Sequence, residues 1–231
     1  MNWSSTCAAV IPCLNEQENI GRVVDGVKKY LQTVVVVDDG SKDATAGQAK
    51  GAGAEVLRHE VSRGKGAALQ EGWKILRARG FKWVLSLDGD GQHAEEDIPV
   101  FFECVERTSA LLVIGNRMVN AGEMPHVRRF VNRWMSRWLS KATGRMLPDS
   151  QCGFRLMNLE AWSGLKITSR HFQIESEVVV AFIAAGHAVE FVPIGVIYKN
   201  EQSKIHPLRD TVRWFRWYAK IKREGQLGKD G

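Results

Sequence analysis

Apolar and polar positions alternate in blocks along the first half of the chain. The run CAAVIP is apolar throughout and ends in Cys13-Leu14-Asn15-Glu16. It predicts a strand with a polar loop at its carboxyl end. From Glu18 to Leu31 the apolar residues switch to helical spacing, with Ile20, Val23, Val24, Val27 and Leu31 on one face. TVVVVDDGS is a β-branched run stopped by two aspartates and a glycine. Such a run suits a strand covered on both faces of a parallel sheet. A short helix over Asp43–Gly51, a strand in AEVLRH and a glycine turn with helix in RGKGAALQEGWKILRARG follow. Next come a buried strand in FKWVLSLDGDGQ, a helix over Asp97–Thr108 and a strand in ALLVIGNR. This alternation predicts an α/β fold, Rossmann-like, with a mostly parallel, doubly wound sheet flanked by helices.

The second half is less regular. Val127–Ala142 predicts a strongly amphipathic helix, and DSQCGFR reads as a loop. Glu175 and Glu177 stand at a helix start, where they favour the dipole or orient Arg155. Phe191–Tyr198 reads as a strand, and Asp210–Glu224 as a basic, aromatic helix. Residues 226–231 read as a disordered tail.

Composition narrows the class. A chain of 231 residues, 44% hydrophobic and 25% charged, fits one buried α/β domain, here over residues 1–225. The formal charge of +6 points to an anionic partner. Cys7, Cys13, Cys104 and Cys152 lack zinc or disulfide spacing and fit a reducing, cytoplasmic compartment. The start lacks the basic and apolar regions of a signal peptide. The apolar stretch Val178–Tyr198 is interrupted by Gly186, His187, Glu190 and Pro193, so it reads as helix, turn and strand and not as a membrane span.

Acids and glycines gather at the predicted strand ends: Asn15-Glu16, Asp38-Asp39-Gly40, Asp88-Gly89-Asp90 and Asn116-Arg117. In doubly wound sheets this is where ligands bind. Asp88, Asp90 and Gln92 alternate behind a buried strand and converge if the chain stays extended. Oxygen donors of this kind suit Mg²⁺ or Mn²⁺, which would neutralise charge on a departing diphosphate. One of Asp38 and Asp39 is expected to recognise a base or ribose while its neighbour braces the turn. Arg63-Gly64-Lys65-Gly66 offers backbone N–H groups and a lysine to a phosphate, or is a plain strand-to-helix turn.

VIPCLNEQENI, VVVVDDGSKDAT, RGKGAAL, LDGDGQH, DSQCGFR and QSKI occur in the order found in glycosyltransferase family 2. The chain resembles the dolichyl- and polyprenyl-phosphate sugar synthases of that family, to about Asp210. The resemblance implies a GT-A fold, a UDP- or GDP-sugar donor, a divalent metal and inverting transfer. It implies that Pro12, Leu14, Glu16 and Asp38 or Asp39 hold the nucleoside, and that Asp88, Asp90 and Gln92 hold the metal and diphosphate; Lys65 and Gly89 are further candidates for binding the nucleotide-sugar. Residues 1–117 would then form the nucleotide half and 118–225 the acceptor half. Mannosyl-phosphate synthases place an arginine shortly before Ser-Lys. Here that segment is Tyr198–Lys204, where Lys199 or Lys204 stands in, leaving mannose and GDP open.

The acceptor decides the rest. A hydroxyl needs a general base, for which Asp149 is the candidate, unless it bonds backbone amides in its loop. A lipid phosphate needs cations instead. Arg117, Arg128, Arg129, Arg133, Arg155 and Lys204 are the candidates, with Arg117 and Arg129 nearest the chemistry. Trp-rich basic helices around Trp134 and Trp214 expect peripheral contact with the cytoplasmic membrane face or packing on the sheet. Nothing in the motifs indicates nucleic acid. The rivals to a lipid-phosphate acceptor are a hydroxyl acceptor, a catalytically silent nucleotide-sugar binder and a nucleotidyltransferase.

Overall fold

In a computed structural model of the chain, residues 1–119, 122, 124–197 and 207–223 are described. Of these, 207–210 are described for their backbone alone. Seven strands form one sheet: β1 (Cys7–Cys13), β2 (Val34–Asp38), β3 (Glu55–Arg58), β4 (Trp83–Ser86), β5 (Leu112–Asn116), β6 (Arg155–Asn158) and β7 (Val189–Pro193). Their order is β3-β2-β1-β4-β6-β5-β7. Every pairing is parallel except those of β6, which runs antiparallel to both β4 and β5.

The apolar runs explain the centre. β1 and β2 are buried along their whole length, as are the four residues of β4. Pro12 is tolerated inside β1 because the β4 ladder has already ended at Val10–Ser86, so the missing N–H costs no bond there. The helices are α1 (Trp3–Thr6), α2 (Ile20–Lys28), α3 (Thr45–Gly51), α4 (Lys65–Ala78), α5 (Ile98–Thr108), α6 (His126–Thr143), α7 (Leu159–Ser163), α8 (Ile174–Ala184) and α9 (Pro207–Arg223). α4 presses on β1 and β2 at Gly72, where a Cβ would come within 2.7 Å of a Val10 methyl. α8 is apolar almost all round and is buried on most sides.

The predicted alternation holds through β5, with boundaries shifted by a few residues. Three elements were not expected: α1, β6 and α7. β6 offers only Leu156 and Met157 as an apolar core and starts on an arginine. Its strand state comes from insertion between β4 and β5, a long-range pairing with no local pattern. β7 lies at Val189–Pro193 and not at Phe191–Tyr198, because the pairing with β5 runs from Leu112–Val189 to Asn116–Pro193.

Candidate active site

The carboxyl ends of β1, β2 and β4 meet the loops that carry the acids. Asn15 takes a left-handed backbone (φ 54°), which turns the β1 loop toward the β2 loop. Its N–H donates to Ser41 Oγ at 2.9 Å, its side-chain oxygen accepts from Lys42 N at 2.9 Å, and Glu16 N donates to Thr45 Oγ1 at 2.7 Å. Pro12 is buried here, while Leu14 and Glu16 are half-buried on the loop that follows.

Asp38 and Asp39 both serve this scaffold. Asp38 is fully buried, accepts from Ser41 N at 2.8 Å and lies 3.3 Å from Arg58 Nε. Asp39 accepts from Ser62 Oγ, Arg63 N and Gly64 N, and its Oδ1 is 2.6 Å from His59 Nδ1. Burial would raise the Asp39 carboxyl, but these donors outweigh it and hold it below its usual range. Asp39 is filled by protein donors and locks the β2 turn to the loop before α4, whereas Asp38 Oδ2 is buried without a hydrogen-bond partner and has only the Arg58 guanidinium 3.3 Å away. His59 and Ser62 were missed in the sequence, since neither shares a motif with the aspartates.

The glycine turn of residues 63–66 leads from the β3 loop into α4, one of its two expected readings. Gly64 N is taken by Asp39, and Ala67 N donates to Arg170 O at 3.1 Å. A Cβ on Gly66 would lie 2.6 Å from Ser169 O. The glycines therefore make room for the loop of residues 169–171. Lys65 alone points toward the acids. Its Nζ lies 2.6 Å from Asp88 Oδ1 and 2.6 Å from Glu175 Oε1, and 5.5 Å from the Phe172 ring centre. Burial opposes the ammonium charge, but the two carboxylates more than compensate and raise the Lys65 pKa. Burial likewise pushes Asp88 up, and Lys65 and His93 together pull it well below the carboxylate range.

Asp88, Asp90 and Gln92 are all half-buried at the end of β4. They do not alternate along an extended chain. Gly91 adopts φ 71°, and the loop turns so that Asp90 Oδ1 accepts from Gln92 N at 3.0 Å. Gly89 is required by a close approach, since a Cβ there would clash with Cys13 Sγ. Gln92 Oε1 accepts from Arg128 Nη1 at 3.2 Å, tying the first turn of α6 to this loop. His93 is buried beneath, with Nε2 3.6 Å from Asp88 Oδ2. Among the described residues no three acids, histidines or cysteines form a ready-made metal cage. The donors are two carboxylates and an amide, which suits a hard cation that keeps places for water and diphosphate oxygens.

Three cationic or basic candidates turn inward. Arg117 is 4% exposed, and its Nε and Nη2 donate to Asp149 at 2.7 and 2.9 Å. Asp149 has no exposed surface. Burial would raise its carboxyl, but Arg117 outweighs that and holds it below the usual range. A carboxylate held ionised by two charge-assisted bonds is a poor proton acceptor, so the geometry disfavours Asp149 as a base. Arg155 is no acceptor ligand either. It is 6% exposed and donates to the carbonyls of Cys152, Glu175 and Ser150 at 2.6, 2.6 and 2.9 Å. Glu177 caps Thr168 and Ser169 and does not orient Arg155. Lys199 and Lys204 lie outside the described residues. Arg128 and Arg129 are half-buried on the first turn of α6, and Arg133 is exposed one turn on.

A family model described as glycosyl transferase family 2 matches residues 8–161, which takes in the β1, β2 and β4 loops and the Arg117–Asp149 pair. The chain belongs to glycosyltransferase family 2. This glycosyltransferase is 30% identical over 206 residues to an undecaprenyl-phosphate mannosyltransferase of Micrococcus luteus, covering 83% of each chain. It is 27% identical over 212 residues to a UDP-N-acetylglucosamine–dolichyl-phosphate N-acetylglucosaminyltransferase of Methanococcus voltae, covering 82% of this chain and 84% of that one. A crystal structure of glucosyl-3-phosphoglycerate synthase from Mycobacterium tuberculosis, in complex with Mn²⁺, uridine diphosphate and phosphoglyceric acid, matches with a TM-score of 0.73 at 22% identity. That match covers 94% of this chain and 78% of the synthase. At this identity the likeness speaks for the GT-A fold alone.

Proposed function

We propose that this glycosyltransferase moves a hexose from a UDP- or GDP-sugar to a polyprenyl or dolichyl phosphate, with inversion, at the cytoplasmic face of a membrane. The observation that carries the reading is the Arg128–Gln92 bond. It sets the basic first turn of α6 against the acidic donor loop, beside exposed Val127 and Phe130. Phosphate-binding cations, an acidic donor site and an apolar surface thus share one edge of the molecule. Relatives named for undecaprenyl- and dolichyl-phosphate acceptors support it.

The chemistry follows from the acceptor. A phosphate oxygen attacks the anomeric carbon as the bond to the nucleoside diphosphate breaks on the opposite side. No proton has to leave the nucleophile, which fits a site whose nearby acid, Asp149, is already paired with Arg117. Arg128 and Arg129, with Arg133 farther out, would hold the acceptor phosphate and offset its repulsion from the donor. Asp90 and Gln92, with Asp88, would hold Mg²⁺ or Mn²⁺, which when bound neutralises the leaving diphosphate. The Arg117–Asp149 pair fixes the end of β5 behind them.

Radiolabelled UDP- and GDP-sugars incubated with short-chain polyprenyl phosphate and Mg²⁺ or Mn²⁺ test this. Label is expected in the organic phase, lost in Asp90→Ala and reduced about a hundredfold in Arg128→Ala, the scale of one transition-state electrostatic contact. Donor consumed into an aqueous sugar product, with the lipid unlabelled, would replace the lipid phosphate with a hydroxyl acceptor.

A further inference from the structure

Asp88 is enclosed on three sides. Lys65 Nζ lies 2.6 Å from one carboxylate oxygen, and His93 Nε2 faces the other at 3.6 Å. Over the top runs Gly153, where a Cβ would come within 2.8 Å of both oxygens. A divalent cation bound by the Asp88–Gln92 loop would need one of those oxygens. On the oxygen that Lys65 holds it would sit beside the ammonium, and two cations on one carboxylate oxygen repel. Lys65 has a second acid to go to, since Glu175 Oε1 is also 2.6 Å away and is itself buried.

We propose that Lys65 is a built-in place-holder for the divalent cation: it occupies Asp88 in the donor-free protein and gives up that oxygen when nucleotide and metal arrive together. Glu175 makes the exchange feasible, because a buried ammonium stripped of every partner would be strongly disfavoured. The incoming diphosphate supplies a further anionic partner at the start of α4. Metal and nucleotide then bind with positive coupling, since each relieves the cost the other meets, and by linkage the effect is mutual. A lysine that only binds phosphate behaves differently. Its removal weakens nucleotide binding and leaves metal binding to the donor-free protein untouched.

The inference rests on the metal reading of the Asp88–Gln92 loop, and the test separates the two. Mn²⁺ binding to the full chain is measured by paramagnetic resonance of the free ion, without nucleotide and with UDP, with GDP in a parallel series. In the wild-type protein Mn²⁺ binds weakly alone and more tightly with nucleotide. In Lys65→Met and Lys65→Gln, binding without nucleotide tightens by roughly tenfold, within the range usual for coupled sites, and the further gain on adding nucleotide is smaller than in the wild type. Lys65→Arg, which keeps the cation, stays near the wild type. Either neutral variant folded by near-ultraviolet dichroism, yet binding Mn²⁺ no more tightly without nucleotide than the wild type, would overturn the place-holder while leaving the metal site standing. A wild-type protein that binds no Mn²⁺ with either nucleotide would overturn both.

Discussion

Arg117 and Asp149 show how a residue changes meaning once its partner is known. Each is a plausible catalytic group in the sequence, an arginine at a strand end and an acid in a loop. Together they form a buried bidentate pair with an additional bond from Arg117 N to Asp149 Oδ2 at 3.2 Å. The pairing is unreadable from spacing, because 116–117 and 149 belong to different elements and are brought together by β6. The Asp88-Gly89-Asp90 motif was legible for the opposite reason: strand, glycine and acids are contiguous. Asp149→Asn leaves Arg117 buried without a counter-charge and is expected to cost about 3–5 kcal/mol at neutral pH. The sign with pH follows from the lowered Asp149 pKa. In the acidic window between the ordinary carboxylate value and the lower folded one, the unfolded chain binds the extra proton. The pair's contribution is complete above the ordinary value and fades as pH falls toward the folded one. Urea midpoints of wild type and Asp149→Asn should therefore converge as the pH is lowered through that window. A gap that stays constant would mean the ion pair is not its source.

At the scale of elements, the least legible feature is what covers the aromatic helices. The sequence shows one apolar face on α6, from Val127 through Leu139. The structure divides that face among several partners. Met135 and Leu139 enter the core, while Trp134 meets Phe215 at 5.2 Å and Trp138 meets Tyr218 at 5.6 Å, both on α9. Trp214 is buried in this seam, stacked on Tyr218 at 5.3 Å, and its ring N–H donates to Ser176 Oγ on α8 at 2.9 Å. A single amphipathic pattern is thus divided among several packing partners, while Val127, Phe130, Arg133, Arg137 and Trp138 stay exposed along α6. Periodicity cannot apportion a face between partners distant in sequence. Trp214→Ala removes the ring that joins α6, α8 and α9 and one of the two bonds that Ser176 Oγ accepts, the other coming from Gln151. A loss of about 3–5 kcal/mol is expected from chemical denaturation, as for large buried aromatics elsewhere. A change under about 0.5 kcal/mol, typical of surface sites, would mean that α9 does not hold the fold together.

Across the whole molecule, the first half, to about Arg117, was the readable half, since strand, loop and helix follow one another there and bury their own neighbours. The second half depends on the inserted antiparallel β6 and on late helices. Its surface also carries the clearest consequence of the formal charge of +6. Among the described residues no helix is long and apolar enough to cross a membrane. Val127 and Phe130 are nonetheless 74% and 70% exposed on the first turn of α6, with Arg133 and Arg137 exposed farther along it. On the proposed reading, this end of α6 meets lipid with two separable contributions. The arginines attract anionic headgroups over about one Debye length, ~8–10 Å near physiological salt, so that part weakens as salt rises. Inserted Val127 and Phe130 side chains add burial that salt does not screen. In vesicle flotation the protein should bind membranes containing anionic lipid and be mostly released at high salt. Val127→Ser with Phe130→Ser should abolish the salt-resistant remainder. Thermal stability should change little, since both side chains already face solvent. Equal binding to neutral and anionic vesicles would remove the electrostatic part. Unchanged salt-resistant binding in the double variant would move the contact away from the first turn of α6.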